Sequence, residues 1–216
     1  MSARRASGPT PPSSGVVPNG SFAANTPDGV LLGDLDGSHR EVLVPAPVSG
    51  DLELAWAPSA QEIAVAPSGA SRQINLVSLN GATMPIAWPP GGAGDPYWPV
   101  FSPDGQYLFF SDVRDGAPVG IRRIRRDGPG LEIVASGLDY RPTLSPDGTL
   151  LAYHTVSQAT WTFAVQVYDL MARTIRAEFP GAFPEWGPPG AAADLAMVDE
   201  STSRVVLIRS DGVNRR

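Results

Sequence analysis

The sequence predicts an all-β protein, a β-propeller or partial propeller of about five four-stranded blades with the last blade incomplete. The first observation behind this is a tight turn that recurs along the chain, seen most clearly at Ser102-Pro103-Asp104-Gly105 and Ser145-Pro146-Asp147-Gly148. Serine opens the turn, proline supplies the fixed φ of its second position, and glycine closes it between apolar strand residues. The second is the interval. Taking the turn prolines Pro18, Pro58, Pro103, Pro146 and Pro188 as anchors gives spacings of 40, 45, 43 and 42 residues, the length of a four-stranded blade, and no helical periodicity intervenes. The third is composition. Glycine and proline contribute 23 residues each among 216, which suits many short strands joined by turns.

Residues 1 to 14 hold serine, proline, glycine and arginine without a large apolar side chain. Such a stretch cannot offset the entropy of its own ordering, so a disordered tail is expected. The five units then span about 15–47, 48–92, 93–137, 138–180 and 181–216. The first strand of each carries an apolar residue two positions before the anchor: Val16, Trp56, Phe101, Leu144 and Trp186. The second strands follow the turn at Ile63-Ala64-Val65, Leu108-Phe109-Phe110 and Leu151-Ala152-Tyr153, and at Leu195-Ala196-Met197 if two residues are inserted near Ala191-Ala192-Ala193. In the first unit only Ala23-Ala24-Asn25 is available. Third strands end near Asp36-Gly37, Asn80-Gly81, Asp127-Gly128, Met171-Ala172 and Asp211-Gly212, the Asp-Gly and Asn-Gly pairs supplying the positive φ of tight hairpins. Fourth strands fall at Glu41–Val44, Thr83–Ile86, Leu131–Val134 and Thr174–Ala177. The fifth unit has none, so either the ring is open or another chain or unit closes it.

The formal charge is −6, and all 16 basic residues are arginine. An acidic balance argues against a general nucleic-acid role, which needs a basic face. No cysteine occurs, which excludes disulfides, thiolate metal sites and a cysteine nucleophile; His39 and His154 lie far apart, so no histidine-rich metal centre is expected. No apolar run reaches the roughly 20 residues of a membrane helix, and the start Met1-Ser2-Ala3-Arg4-Arg5 lacks the apolar segment of a secretory signal. Taken literally, the start leads to the expectation of a cytoplasmic chain, an expectation that lapses if the chain is trimmed from a longer precursor.

The segments Tyr97-Trp98-Pro99-Val100-Phe101-Ser102-Pro103-Asp104-Gly105, followed by Ser111-Asp112-Val113-Arg114-Asp115-Gly116, and Tyr140-Arg141-Pro142-Thr143-Leu144-Ser145-Pro146-Asp147-Gly148 resemble the TolB-like β-propeller repeat, a WD-like unit. The resemblance is close in the third and fourth units and looser elsewhere. It implies four-stranded blades around a channel and a role in binding other proteins, often in the periplasm or outside the cell. Similar propellers also gate the active site of prolyl-oligopeptidase-like peptidases.

Several residues invite chemical readings. Asp104 and Asp147 occupy equivalent turn positions and are expected to bond the local backbone. Asp112, Asp115 and Gly116 lack the alternating ligands and terminal glutamate of a calcium loop, so no metal site is assigned. His154 shares a repeat position with Ser111 and is expected as a hydrogen-bonded strand end. No nucleophile elbow surrounds Ser78, Ser102, Ser111 or Ser145, so no catalytic residue and no cofactor is assigned. The basic run Arg122, Arg123, Arg125 and Arg126 is read as a strand paired with acidic neighbours or, more sharply, as a patch for an anionic partner; alternation puts Arg123 and Arg125 on one face and Arg122 and Arg126 on the other. The candidate binding residues are those that open the innermost strands at one mouth of the channel: Trp98, Arg141 and Phe183, each five residues before its anchor, with Tyr97 and Tyr140 beside the first two. Aromatic residues and arginine are what interfaces favour; the alternative role is packing between blades.

The expected function is a non-catalytic binding scaffold whose partner is another protein or peptide, with self-association through the unfinished blade as a further possibility. Two alternatives are an accessory gating propeller of a hydrolase and a sensor of peptides or sugars.

Overall fold

The computed structural model describes residues 21–34, 39–45, 52–67, 73–88, 91–157, 159–187 and 194–209. The expected tail at 1 to 14, the strand around Val16, the anchors Pro18 and Pro188, and the turns at Asp36-Gly37 and Asp211-Gly212 lie outside these residues. What is described is all-β: 18 strands in five antiparallel sheets, each a meander of sequential neighbours.

The first sheet holds β1 (Ser21–Thr26), β2 (Gly29–Asp34) and β3 (Arg40–Pro45), which occupy the second to fourth positions of a blade. The second holds β4 (Leu52–Trp56), β5 (Glu62–Pro67), β6 (Gln73–Ser78) and β7 (Thr83–Ala87). The third holds β8 (Asp95–Phe101), β9 (Tyr107–Arg114), β10 (Ala117–Arg125) and β11 (Glu132–Ser136). The fourth holds β12 (Asp139–Leu144), β13 (Leu150–Val156), β14 (Phe163–Asp169) and β15 (Thr174–Pro180). The fifth holds β16 (Ala182–Trp186), β17 (Asp194–Asp199) and β18 (Arg204–Arg209), with no fourth strand among the described residues. Two blades thus show three described strands rather than one. The two-residue insertion in the last unit is borne out by register: Trp56, Phe101 and Leu144 pair with residues seven positions on, whereas Trp186 pairs with Leu195.

The sheets pack face to face in chain order, with β4 against β8, β8 against β12, and β12 and β13 against β16. The strands predicted to be innermost are therefore those that meet across blades. Four apolar clusters fill the four gaps between five sheets, and the second strands build them by alternation. Along β9, Leu108 and Phe110 face the second sheet and Phe109 faces the fourth; along β13, Leu151 and Tyr153 face the third sheet and Leu150 and Ala152 the fifth. Along β5, Ile63 and Val65 face the first sheet and Ala64 and Ala66 the third. Strands buried on both faces read as continuous apolar runs, as parallel-sheet strands do and for the same reason. Fully burying each large side chain contributes about 1.5–3 kcal/mol. Trp186 adds a polar stitch, its indole N–H donating 3.2 Å to the Thr143 carbonyl of the preceding blade.

The end faces differ. On β18, Val205 and Leu207 alternate to the outer side and are exposed, while Ile208 is buried. Among the described residues β18 is an edge strand, as expected of an unfinished blade.

The turns are self-contained. Ser102 Oγ donates to Asp104 Oδ1 at 2.5 Å and accepts from the Tyr107 amide at 2.9 Å, while Asp104 Oδ1 also accepts from the Gln106 amide. Ser145, Asp147, Thr149 and Leu150 repeat the arrangement. These bonds, the serine's first, hold both aspartate carboxyls below the usual range. The closing glycines have φ of 68° and 71°, and Ala60 takes the same role in the second blade at 56°. Each turn also leans on its predecessor: a Cβ at Gly105 would lie 3.9 Å from Pro58, and one at Gly148 only 3.2 Å from Pro103.

Both Gly105→Ala and Gly148→Ala are expected to destabilise the fold by about 1–2 kcal/mol through the positive φ, with Gly148→Ala the worse because Pro103 must also move. Urea midpoints of the two variants check the order, and equal midpoints would show that the stacked turns yield freely.

Candidate functional site

Three inner strands begin with the same distortion. Between Tyr97 and Val100, Tyr140 and Thr143, and Ala182 and Glu185, the inner strand carries one more residue than its partner, a β-bulge. In each the bulge contains a proline, Pro99, Pro142 or Pro184, which has no N–H to offer the ladder and so belongs where pairing is interrupted. The residue before it is Trp98, Arg141 or Phe183, with φ of 50°, 49° and 55°. Positive φ at a bulky side chain costs about 1–3 kcal/mol and persists only where the surroundings fix it. In the second blade, β4 pairs with β5 without a bulge, and Leu54 stands where the proline would be.

The strain brings the three side chains together. Arg141 Cζ lies 5.1 Å from the ring centroid of Trp98, from the blade before, and 5.1 Å from that of Phe183, from the blade after. Around this row the aromatic residues continue: Tyr97 to Trp98 at 5.4 Å, Trp98 to Tyr140 at 5.8 Å, and Tyr140 stacked on His154 at 4.9 Å. His154 in turn meets Phe163 and Phe183 edge-on at 5.6 and 5.2 Å. All five residues selected from the sequence for the channel mouth therefore fall in one cluster. Its outer side is open, with Arg141 exposed and Phe183 47% exposed.

His154 does not behave as expected. It is 4% exposed, and its Nδ1 has no hydrogen-bond partner; its ring packs among aromatics instead of tying down a strand end. The indole N–H of Trp98 and the hydroxyl of Ser111 are likewise buried without a partner. Ser111 and His154 stand opposite Tyr97 and Tyr140 in the β8–β9 and β12–β13 ladders. Their shared repeat position thus places polar atoms just behind the bulges. Burial, and then the nearby Arg141 charge, push the His154 imidazole down to about 4. Asp139, one residue before Tyr140, is pushed up by burial, partly offset by a hydrogen bond with Thr155.

Two residues of this region carried no clear sequence signal. Phe163 opens β14 against His154, and Trp161, in the β13–β14 connection at the same end, has φ of 54° and is 73% exposed. Both depend on which strand end faces the mouth, and a lone aromatic in a loop does not reveal that.

The basic run is not a free cationic surface. Arg122 Nε donates 2.8 Å to Asp112 Oδ2, and Arg123 donates to Glu132 directly across the β10–β11 ladder. Arg125 pairs with Asp127, and Arg126 reaches the second blade to hold Glu62 with two bonds of 2.7 and 2.8 Å. Asp112 is wholly buried and also accepts from the Gly94 amide and from Arg114. Asp115 and Gly116, with φ of 51° and 78°, are the central pair of the β9–β10 hairpin turn. Among the described residues no group of three His, Cys, Asp or Glu side chains is placed to hold a metal ion. A cleft of about 50 Å³ between the outer strands of the third and fourth blades, lined by Arg123, Glu132, Ile133, Tyr168 and Arg173, is separate from the aromatic mouth.

No family model and no curated protein matches the chain in sequence, but solved structures share its fold. TolB from Acinetobacter baumannii superposes with a TM-score of 0.60 at 19% identity, over 90% of this chain and 62% of that one. A putative TolB from Agrobacterium tumefaciens gives 0.65 at 20%, over 82% and 64%. An oligogalacturonate lyase in complex with manganese gives 0.64 at 11%, over 87% and 58%. The chain spans somewhat under two thirds of the length of these structures, and its fold is that of a TolB-like β-propeller.

Two outcomes are expected. Removing the buried Asp112 carboxylate by Asp112→Ala leaves Arg122 without its partner and costs about 2–4 kcal/mol in urea unfolding; a loss below about 0.5 kcal/mol would mean the pair contributes only surface-level energy. For His154 the folded pKa lies below the unfolded 6.5, so its stabilisation is complete above that value and is lost as pH falls from about 6.5 towards about 4. Asp139 acts in the opposite direction. Comparison with His154→Phe therefore isolates the histidine, and the variant is expected to lose the downward slope across that window.

Proposed function

We propose that this TolB-like propeller is a non-catalytic binding module that takes another protein or peptide at the mouth formed by Tyr97, Trp98, Tyr140, Arg141 and Phe183. The observation that carries the reading is the repeated bulge. Three blades each hold a bulky residue at positive φ, at the cost of stability, and all three side chains converge on one partly exposed row. Packing between blades needs no such strain, since the second blade makes its inner strand without a bulge. Strain retained at one place is a reason to look for function there.

The composition of the row supports a macromolecular partner. Tryptophan, tyrosine and arginine dominate the residues that carry binding energy at protein interfaces, because they offer large rigid area with a polar edge. The unpartnered Trp98 N–H and His154 Nδ1 leave hydrogen-bonding capacity inside the same cluster. The residues assemble as a contact surface, and the module is read as working without chemistry of its own.

The test is selection of a random displayed-peptide library on the immobilised protein, with affinities of the selected peptides then measured on variants. Trp98→Ala and Phe183→Ala are expected to weaken binding about tenfold or more, equal to about 1.4 kcal/mol, while Arg173→Ala in the separate outer cleft leaves it unchanged. Selected peptides that bind both mouth variants as tightly as the native protein would refute the reading.

A further inference from the structure

The mouth contains one cation that differs from its neighbours. Every member of the basic run on the third blade has a carboxylate within ion-pair distance, and so does Arg114. Arg141 has none among the described residues. Its two companions are the rings of Trp98 and Phe183, and both approach Cζ at the same 5.1 Å. A guanidinium is planar. With two rings and no carboxylate beside it, its N–H groups remain to be satisfied, and they form a rigid fork matched to the two oxygens of a carboxylate.

We propose that Arg141 is the specificity-determining residue of the mouth and receives a carboxylate of the bound peptide; this rests on the binding reading above and names the chemistry of its occupant. The bulge supplies the orientation. At φ of 49°, Arg141 is aimed across the mouth, between the residues that the neighbouring bulges aim in the same way. Cation–π contact with two rings restrains the side chain before any ligand arrives, so less rotamer freedom is lost when the hydrogen bonds form.

The surroundings agree with an anionic guest. Arg141 is exposed, so a ligand can reach it. The ring of His154, packed on Tyr140 and Phe183, is buried and held neutral near physiological pH by burial and by the Arg141 charge, so the mouth presents a single localised positive charge. Asp139 is buried and its partner is Thr155, which leaves Arg141 without an internal competitor from the start of its own strand. The chain as a whole carries a formal charge of −6. An acidic peptide is therefore not attracted by the protein at large, and its affinity must come from this one contact and the rings around it. The flanking Tyr97, Trp98 and Phe183 would hold apolar or aromatic groups beside the carboxylate.

The test uses the same displayed library, selected in parallel on the native protein and on Arg141→Gln. Peptides enriched on the native protein over the variant are expected to carry a carboxylate and to bind Arg141→Gln about tenfold or more weakly. Arg141→Lys, which keeps the charge but loses the planar fork, is expected to recover only part of that loss. Synthetic peptides with the acidic side chain changed to its amide, and others with the C-terminus amidated, tell a side-chain carboxylate from a terminal one; loss of binding in either series supports the proposal. Peptides that depend on Trp98 and Phe183 yet show no carboxylate preference and no loss on Arg141→Gln would overturn it while leaving the binding function intact. Failure to select any peptide dependent on the mouth would remove both. Near-ultraviolet circular dichroism of Arg141→Gln confirms that the aromatic cluster is still assembled.

Discussion

Burial of the second strand of each blade on both faces is the constraint on which the rest depends. Phe109 and Phe110 are adjacent in sequence yet belong to different cores, one against the fourth blade and one against the second. Because residues alternate sides along a strand, a continuous apolar run such as Leu108-Phe109-Phe110 can be satisfied only if another sheet lies on each side. Stacking of blades is therefore demanded by every internal unit, and the order of blades follows from the chain. The outer blades meet this demand on one side only, which is why Val205 and Leu207 of β18 remain exposed.

The second constraint lies in the inner strands. Stacked sheets bring their first strands close together, so whatever those strands present at their beginnings is gathered into one place. The prolines at 99, 142 and 184 prevent the strands from pairing normally there, and the extra residue of each bulge turns Trp98, Arg141 and Phe183 out of the ladder. Packing energy from the clusters holds a geometry that is locally unfavourable by about 1–3 kcal/mol at each site. The polar atoms of Ser111, His154 and Trp98 that lack partners sit beside these same bulges.

Charge is handled locally. Arg126 and Glu62 tie two blades, Asp112 gathers Arg122, Arg114 and the Gly94 amide, and the serine and aspartate of each turn satisfy one another. Against this background Arg141, which faces rings rather than a carboxylate, stands apart. The sequence showed four arginines close together and Arg141 apart from them. Density of charge pointed to the first group, but pairing decides which charge is free, and pairing is visible only in three dimensions.

By itself the sequence determined the repeat, its length, the turn chemistry and the alignment of units, because those rest on interactions within about five residues, such as the serine and aspartate bonds of the turn. It also placed Tyr97, Trp98, Tyr140, Arg141 and Phe183 on common repeat positions, from which their convergence follows once the blades are stacked. The tertiary structure alone decided that His154 is an unpartnered member of the aromatic cluster, that Phe163 and Trp161 belong to the same end, and that Arg126 serves the neighbouring blade. Each of those facts depends on a contact between strands of different blades or between neighbouring strands at one end of a sheet. Local rules set the shape of a blade, and only the packing of one blade on the next fixes which side chains meet.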